Sequence, residues 1–300
     1  MKSNKYEIDM CNGSIMDKLV SFALPLMLSG ILQLMFNAVD IIVVGRFSGS
    51  EALAAVGSTT ALINVFTNLF IGISLGANVL AARFFAAGRK EEMSETVHTS
   101  ITLALISGIL MAFVGLVFSK GALELMGTPE DVIGLSTLYM RIYFMGMPFF
   151  MLYNYGAAIL RAVGDTKRPL YFLIIAGVIN AGLNMVLVIV FGLGVAGVGI
   201  ATVFSQMVSC VLVLTCLCRT EGSYKLSFSK LSMKGYYLKQ IFQVGIPAGI
   251  QSTVINFSNA LLQSSVNSFG STAMAGYTAA NNILGFLYVS INSVTQACMS

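Results

Sequence analysis

Eight long apolar segments constrain the fold of this chain more than any other feature. They run over about residues 19–44, 56–85, 97–118, 132–159, 169–191, 195–218, 241–269 and 273–300. Each is long enough to cross a hydrocarbon layer of ~30 Å as a helix. Charged residues make up only 10% of the sequence, against about 25% in soluble domains, so an ordinary soluble core is excluded. The sequence predicts an all-α polytopic membrane protein.

The basic residues predict how the spans are oriented. If the spans alternate in direction, all but three of the 17 Lys and Arg residues fall on one side of the membrane, and the exceptions are Arg46, Lys120 and Arg141. Because Lys and Arg concentrate in cytoplasmic segments, we expect the N-terminus in the cytoplasm. The net charge of +4 therefore reflects topology, and it indicates no nucleic-acid partner.

An internal repeat predicts two lobes. Residues 22–40 align with 244–262, which places Pro25 on Pro247 and Asn37 on Asn259, and one residue of slip later Gly49 aligns with Gly270. Six spans separate the copies, so both begin on the same face, as in parallel repeats. We expect two six-helix lobes in the full protein.

The repeat also divides the chain into three regions. Residues 1–218 form the N-terminal lobe, 219–239 form a cytoplasmic inter-lobe loop, and 240–300 begin the second lobe with two helices. The second copy lacks counterparts of spans three to six, so we expect this chain to be part of a twelve-span protein. A complete eight-span protein is the alternative.

Several motifs resemble the multidrug and toxic compound extrusion (MATE) family. They are Pro25, Asn37 and Asp40 in the first span, the loop LRAVGDTKRP at 160–169, and FGLGVAGVGIAT at 191–202. The resemblance implies two six-helix lobes around a central cleft. It also implies a multi-pass protein of the bacterial cytoplasmic membrane that exports amphipathic, often cationic compounds in exchange for H⁺ or Na⁺. The chain is most similar to the prokaryotic branch that holds the coupling ion in its N-terminal lobe.

Asp40 is the one acidic residue within a predicted span. An ionised carboxylate there costs at least ~2.5 kcal/mol on insertion scales, so it needs a partner, a proton or water. Polar residues on three spans are placed to surround it: Gln33 and Asn37 on the first, Asn180 and Asn184 on the fifth, and Thr202 and Gln206 on the sixth. Such oxygens suit Na⁺, or burial can favour the protonated carboxyl. A hydrated Asp40 near the outer surface is the alternative.

The resemblance adds roles to these positions. Asp40, Asn180 and Thr202 match the cation site of the related branch residue by residue. Asn184 stands where that branch has a second acid, which leaves one titratable group. Both H⁺ and Na⁺ stay open as the coupling ion, and no cofactor is expected.

Other polar residues carry weaker hypotheses. Pro25 is either a hinge in the first span or a static kink. The residues proposed to meet a small amphipathic substrate in the cleft have helix packing as their more common explanation; they are Gln33, Asn64, Asn68, Tyr139, Tyr143, Met147, Asn154, Gln206 and Asn259. We expect the charges of the loop at 164–169 to face the cytoplasm and His98 to be a surface residue.

Three functions fit these observations. The first is an ion-coupled exporter of drugs or metabolites. The second is a flippase for lipid-linked saccharides, which would need basic residues in the cleft, whereas the spans hold almost none apart from Arg141. The third is a non-transporting integral membrane protein. No nucleotide-binding or nucleophile motif is visible, so an enzyme is not expected.

Overall fold

A computed structural model describes residues 14–267, 284, 285 and 287–298, and the regular elements in them are helical. Eight α-helices are α1 (Ile15–Phe47), α2 (Gly49–Ala86), α3 (Lys90–Leu125), α4 (Glu130–Met145), α5 (Met147–Ala162), α6 (Lys167–Asn184), α7 (Gly194–Arg219) and α8 (Gly235–Asn267). A π-helix, Met185–Val190, continues α6, and a 3₁₀ turn, Phe228–Lys230, lies between α7 and α8. Residues 287–298 are helical as well.

Five of the described helices are long and apolar enough to cross a membrane by length and composition. They are α1, α2, α3, α6 with its π-helical extension, and α7. Their outer faces are apolar and exposed, as at Phe113 on α3 and Val178 on α6, which suits contact with lipid. The prediction of an all-α polytopic membrane protein is confirmed.

The predicted span at 132–159 is not one continuous α-helix, because the chain breaks into α4 and α5 at Gly146. Pro148 has no N–H to donate to the helical ladder, and the Gly146 N–H turns back to the Tyr143 carbonyl at 3.0 Å. Gly108 of α3 packs directly against the Pro148 backbone at this break. The segment at 241–269 lies in α8 up to residue 267, and part of 273–300 lies outside the described residues.

The connection between α7 and α8 is packed onto the helix ends. Tyr224 and Leu226 are buried in it. The Ser227 N–H donates to His98 Nε2 at 3.1 Å, and Lys234 Nζ lies 2.6 Å from Glu95 Oε1. α8 begins at Gly235, earlier than the predicted lobe boundary at residue 240. This connection therefore lies against α3.

Two expectations at this end of the bundle are wrong. His98 is buried rather than at the surface, because both ring nitrogens find partners: Nδ1 lies 2.6 Å from the Ser94 carbonyl, and Nε2 accepts from Ser227. In the loop at 164–169, Asp165 is fully buried instead of facing solvent. Its carboxylate pairs with the Arg168 guanidinium and accepts the Arg168 backbone N–H at 3.1 Å, which caps the start of α6.

Candidate cation-coupling site

Asp40 lies near the end of α1 and is only 9% exposed. The Asn184 side chain of α6 donates from Nδ2 to Asp40 Oδ1. A charge in an apolar helix is stabilised when a neighbouring helix supplies a polar partner. The described ion pairs do not include Asp40, so its known partner is a neutral amide.

The contact extends through a chain of side chains on three helices. Asn184 Nδ2 also lies 3.3 Å from Asn180 Oδ1, and Asn180 Nδ2 lies 3.5 Å from Thr202 Oγ1 on α7. The Thr202 hydroxyl donates to the Val198 carbonyl at 2.9 Å. The structure thus brings Asp40, Asn180, Asn184 and Thr202 together, and their role in binding a cation stays a prediction.

Small residues allow these helices to approach. The Phe36 ring of α1 occupies the space where a side chain at Gly177 of α6 would lie. On α7, a Cβ added at Gly197 would lie 3.2 Å from the Leu187 backbone in the π-helix. That π-helix begins directly after Asn184, and π turns in α-helices occur often at functional sites. Close contacts of α1 with α6, and of α7 with the π-helix, therefore hold the hydrogen-bonded side chains in place.

Two buried acceptor oxygens at the site have no hydrogen-bond partner in the part of the chain that the structure describes. One is Oδ1 of the fully buried Asn184, whose Nδ2 donates to two oxygens. The other is Oε1 of Gln206, one turn beyond Thr202. No cluster of three His, Cys, Asp or Glu side chains occurs among the described residues. One carboxylate with neutral oxygens suits a hard monovalent cation or a proton, and not a transition metal.

Two tyrosines of α4 lie near this site, whereas the sequence predicts only that they line a cleft. The structure places Tyr139 and Tyr143 in the neighbourhood of Asp40. Their ring centroids are 6.2 Å apart, and a Cβ added at Gly199 of α7 would lie 3.6 Å from Tyr139. Their spacing of four residues predicts from the sequence that the two tyrosines share one face of a helix, but it does not predict that this face is near Asp40.

Several other predicted residues lie away from Asp40. Met147 is fully buried in the packed core, so the expectation that it lines a cleft is wrong. Asn154 donates to the Phe150 carbonyl of its own helix at 2.8 Å, as the packing alternative predicts. Asn37 is exposed on α1, and no hydrogen bond among the described residues joins it to Asp40.

The remaining predicted lining residues are on two helices. Gln33 of α1 and Asn64 of α2 are exposed, and Asn68 is half-buried. Asn259 is on α8, but its side chain lies outside the described part of the chain. Asn78 is not among the residues predicted from the sequence. It is buried and donates to the Ala158 carbonyl of α5 at 2.8 Å.

Comparison with known proteins decides the family. The profile described as MatE matches residues 25–186, which is more than half of the chain. The chain belongs to the MATE family. This agrees with the resemblance carried by Pro25, Asp40 and the two glycine-containing motifs, and it makes the chain part of a multi-pass membrane protein.

Two curated relatives of this MATE chain are named as multidrug proteins. It is 35% identical over 275 residues to the probable multidrug resistance protein YoeA of Bacillus subtilis, covering 89% of this chain and 59% of that protein. It is 21% identical over 273 residues to the multidrug export protein MepA of Staphylococcus saprophyticus, covering 91% and 60%. The chain thus spans less than two thirds of the length of these relatives.

A solved structure has the same fold. It is described as the outward-facing conformation of a multidrug resistance MATE family transporter, with a TM-score of 0.90 and 25% identity. The match covers 99% of this chain and 66% of that one.

Proposed function

We propose that the whole protein is a secondary active antiporter that exports amphipathic, positively charged compounds in exchange for H⁺ or Na⁺. The observation that carries this proposal is the buried Asp40 carboxylate with its neutral partner Asn184. MATE membership and the names of the relatives support export of small molecules. No enzymatic step is part of this proposal.

We infer that the ionised carboxylate of Asp40 binds the coupling ion. A bound proton or Na⁺ neutralises the carboxylate, which lowers the cost of holding it inside the membrane. Release restores a net negative charge beside the amide of Asn184. Because Asn184 is not an acid, each cycle changes the charge of this site by one.

The Asn184 Oδ1 atom, which has no hydrogen-bond partner among the described residues, can coordinate Na⁺. If the amide turns about its terminal torsion, an oxygen replaces the N–H that now meets Asp40, and Asn180 and Thr202 supply further oxygens. For H⁺, the amide keeps its orientation and the carboxyl carries the proton on its other oxygen. Because both ions use the same residues, the site alone does not distinguish H⁺ from Na⁺. An experiment with imposed gradients makes that distinction.

Pro25 is the proposed hinge of α1. The helix runs continuously across it, but Pro25 has no N–H to bond the carbonyl of Ser21. The Ser29 hydroxyl donates to the Pro25 carbonyl at 2.8 Å, which adds a local competitor to the helical ladder. Fifteen residues separate Pro25 from Asp40, or ~22 Å of helix. A small bend at Pro25 therefore displaces Asp40 against α6.

The proposed arrangement in the membrane follows the charge asymmetry. The N-terminus lies in the cytoplasm of a bacterial cell, and the protein is in the cytoplasmic membrane. Residues 1–218 form the first lobe, 219–239 the inter-lobe connection, and 240–300 the beginning of the second lobe. Gln33, Asn64, Asn68 and Asn259 are proposed to meet the substrate between the lobes.

The test uses vesicles that contain the whole protein and a fluorescent cationic dye. We expect dye export to be driven either by an imposed pH gradient without Na⁺ or by an imposed Na⁺ gradient at constant pH. Export driven by one gradient identifies the ion. Dye movement that responds to neither gradient would overturn the proposal.

A further inference from the structure

Four glycines bring α2 and α8 into backbone contact. Gly72 and Gly76 of α2 face Gly245 and Gly249 of α8, and we call these four residues the glycine seam. A Cβ added at Gly76 would lie 2.8 Å from the Gly245 nitrogen, and one at Gly249 would lie 2.6 Å from the Leu69 carbonyl oxygen. An added Cβ at Gly72 would overlap the Gly249 backbone. Backbone atoms cannot give way as a side chain can, so a methyl group here must separate the helices.

A second contact joins α1 to the helix at 287–298. Gly30 packs against the Val289 side chain. Ala23 and Ala297 are buried in one cluster with Phe22 and Leu26. This contact is made by side chains, unlike the glycine seam.

The repeat relates the two contacts. The alignment of 22–40 with 244–262 pairs Ala23 with Gly245, and the slip that aligns Gly49 with Gly270 pairs Gly76 with Ala297. The cluster that holds Ala23 and Ala297 is therefore the repeat-related copy of the contact between Gly76 and Gly245. Each copy pairs a helix of the proposed first lobe with a helix of the second.

The glycine seam lies far from Asp40 along the bundle. α1 and α2 meet at Ser48, and Asp40 is seven residues from the end of α1, or ~10 Å. Gly72 is 23 residues into α2 from the same end, or ~35 Å. The seam is thus ~25 Å deeper than Asp40, on the side assigned to the cytoplasm.

We propose that the glycine seam is the cytoplasmic gate between the lobes and that it must separate in every transport cycle. The inference rests on the proposed function, because only a transporter needs the lobes to part here. Glycine has no side chain to form an ion pair or a side-chain hydrogen bond, so closing orders no rotamers and opening leaves no broken polar pair. The two halves of the gate differ in chemistry. The glycine seam closes through backbone contact, whereas its repeat-related half closes through alanine and larger side chains.

Substitution of the seam tests the gate. Gly76→Ala should favour the separated lobes, while Gly57→Ala on the same helix is a matched control, because its added Cβ meets nothing within 4 Å. The reporter is a cysteine pair, F84C with Y237C, at positions whose rings now lie 5.9 Å apart between α2 and α8. Native cysteines are replaced by alanine, and a short thiol crosslinker is used on the whole protein in membranes.

We expect the rate of crosslinking to fall roughly tenfold for Gly76→Ala, which is the scale of an overpacked contact. For Gly57→Ala the rate should stay unchanged. Equal rates in the two variants would overturn the proposal. This readout does not need transport, so it is independent of the proposed ion coupling.

A second measurement keeps the native seam, in case Gly76→Ala does not fold. The crosslinked F84C/Y237C protein should lose dye export and regain it when a cleavable crosslinker is reduced. Undiminished export by the fully crosslinked protein would overturn the gate. Absence of export before crosslinking would instead count against the proposed function.

Discussion

The amide of Asn184 donates to the carboxylate of Asp40 across 144 residues of sequence. The bond joins α6 to α1 inside an apolar bundle, near the end of α1. It supplies a donor but no positive charge, so it does not neutralise Asp40 when the carboxyl is ionised. This combination of a carboxyl acceptor and a neutral donor distinguishes the site from a structural ion pair.

Asn184→Ala should lower the free energy of unfolding by about 1–3 kcal/mol, because a buried acceptor then loses its donor. Asn154→Ala is the control, since the hydrogen bond that the described residues give Asn154 is to the Phe150 carbonyl of its own helix. Thermal unfolding of the detergent-purified protein measures both. In the Asp40→Asn background, the effect of Asn184→Ala should shrink; an undiminished effect would mean that the stabilisation does not come from the bond to Asp40.

Much of this site was predictable from the sequence, and the reason is local spacing. Asn180 and Asn184 share one face of α6 because they are four residues apart, and Asp40 needs a polar neighbour in any apolar bundle. The break at Gly146 was not predictable from hydropathy, because the apolar segment continues across it. It depends on the backbone chemistry of Gly146 and Pro148.

Long-range partners explain the other differences. His98 is buried because its acceptor nitrogen meets the Ser227 N–H, 129 residues away in the chain. No spacing rule connects these residues. The glycine seam is similar, since spacing identifies a small-residue face on each helix but does not pair the two faces.

Gly177→Ala should push α1 away from α6, because the Phe36 ring already fills the space of the new methyl group. We expect a loss of about 1–3 kcal/mol of stability together with slower dye export. Gly182→Ala on the same helix meets nothing within 4 Å and should leave both unchanged. Adding Phe36→Leu to Gly177→Ala should restore part of the loss; failure of this rescue would show that Phe36 is not the obstacle.

His98→Ala should loosen the connection between α7 and α8, because the Ser227 N–H loses its acceptor. Trypsin cleavage at Lys225 and Lys230 of this connection measures the change and should become faster. Ser229→Ala, which alters an exposed hydroxyl in the same segment, should leave cleavage as it is. A cleavage rate for His98→Ala equal to that for Ser229→Ala would contradict a clamping role for His98.

Pro25→Ala restores the backbone donor that α1 lacks and should stiffen the helix. If Pro25 is a hinge, gradient-driven export falls while the protein remains folded and stable. Pro247→Ala, its counterpart in α8, shows whether the effect is specific to the lobe that carries Asp40. Full export by Pro25→Ala would favour the static kink.

The central claim is that Asp40 couples the ion gradient to export, and dye export by Asp40→Asn tests it most directly. The measurement uses vesicles with the gradient that drives the wild-type protein, and Asp131→Asn, at an exposed position in the first turn of α4, is the control. We predict that Asp40→Asn loses gradient-driven export while Asp131→Asn retains it. Export by Asp40→Asn at the wild-type rate would contradict the claim.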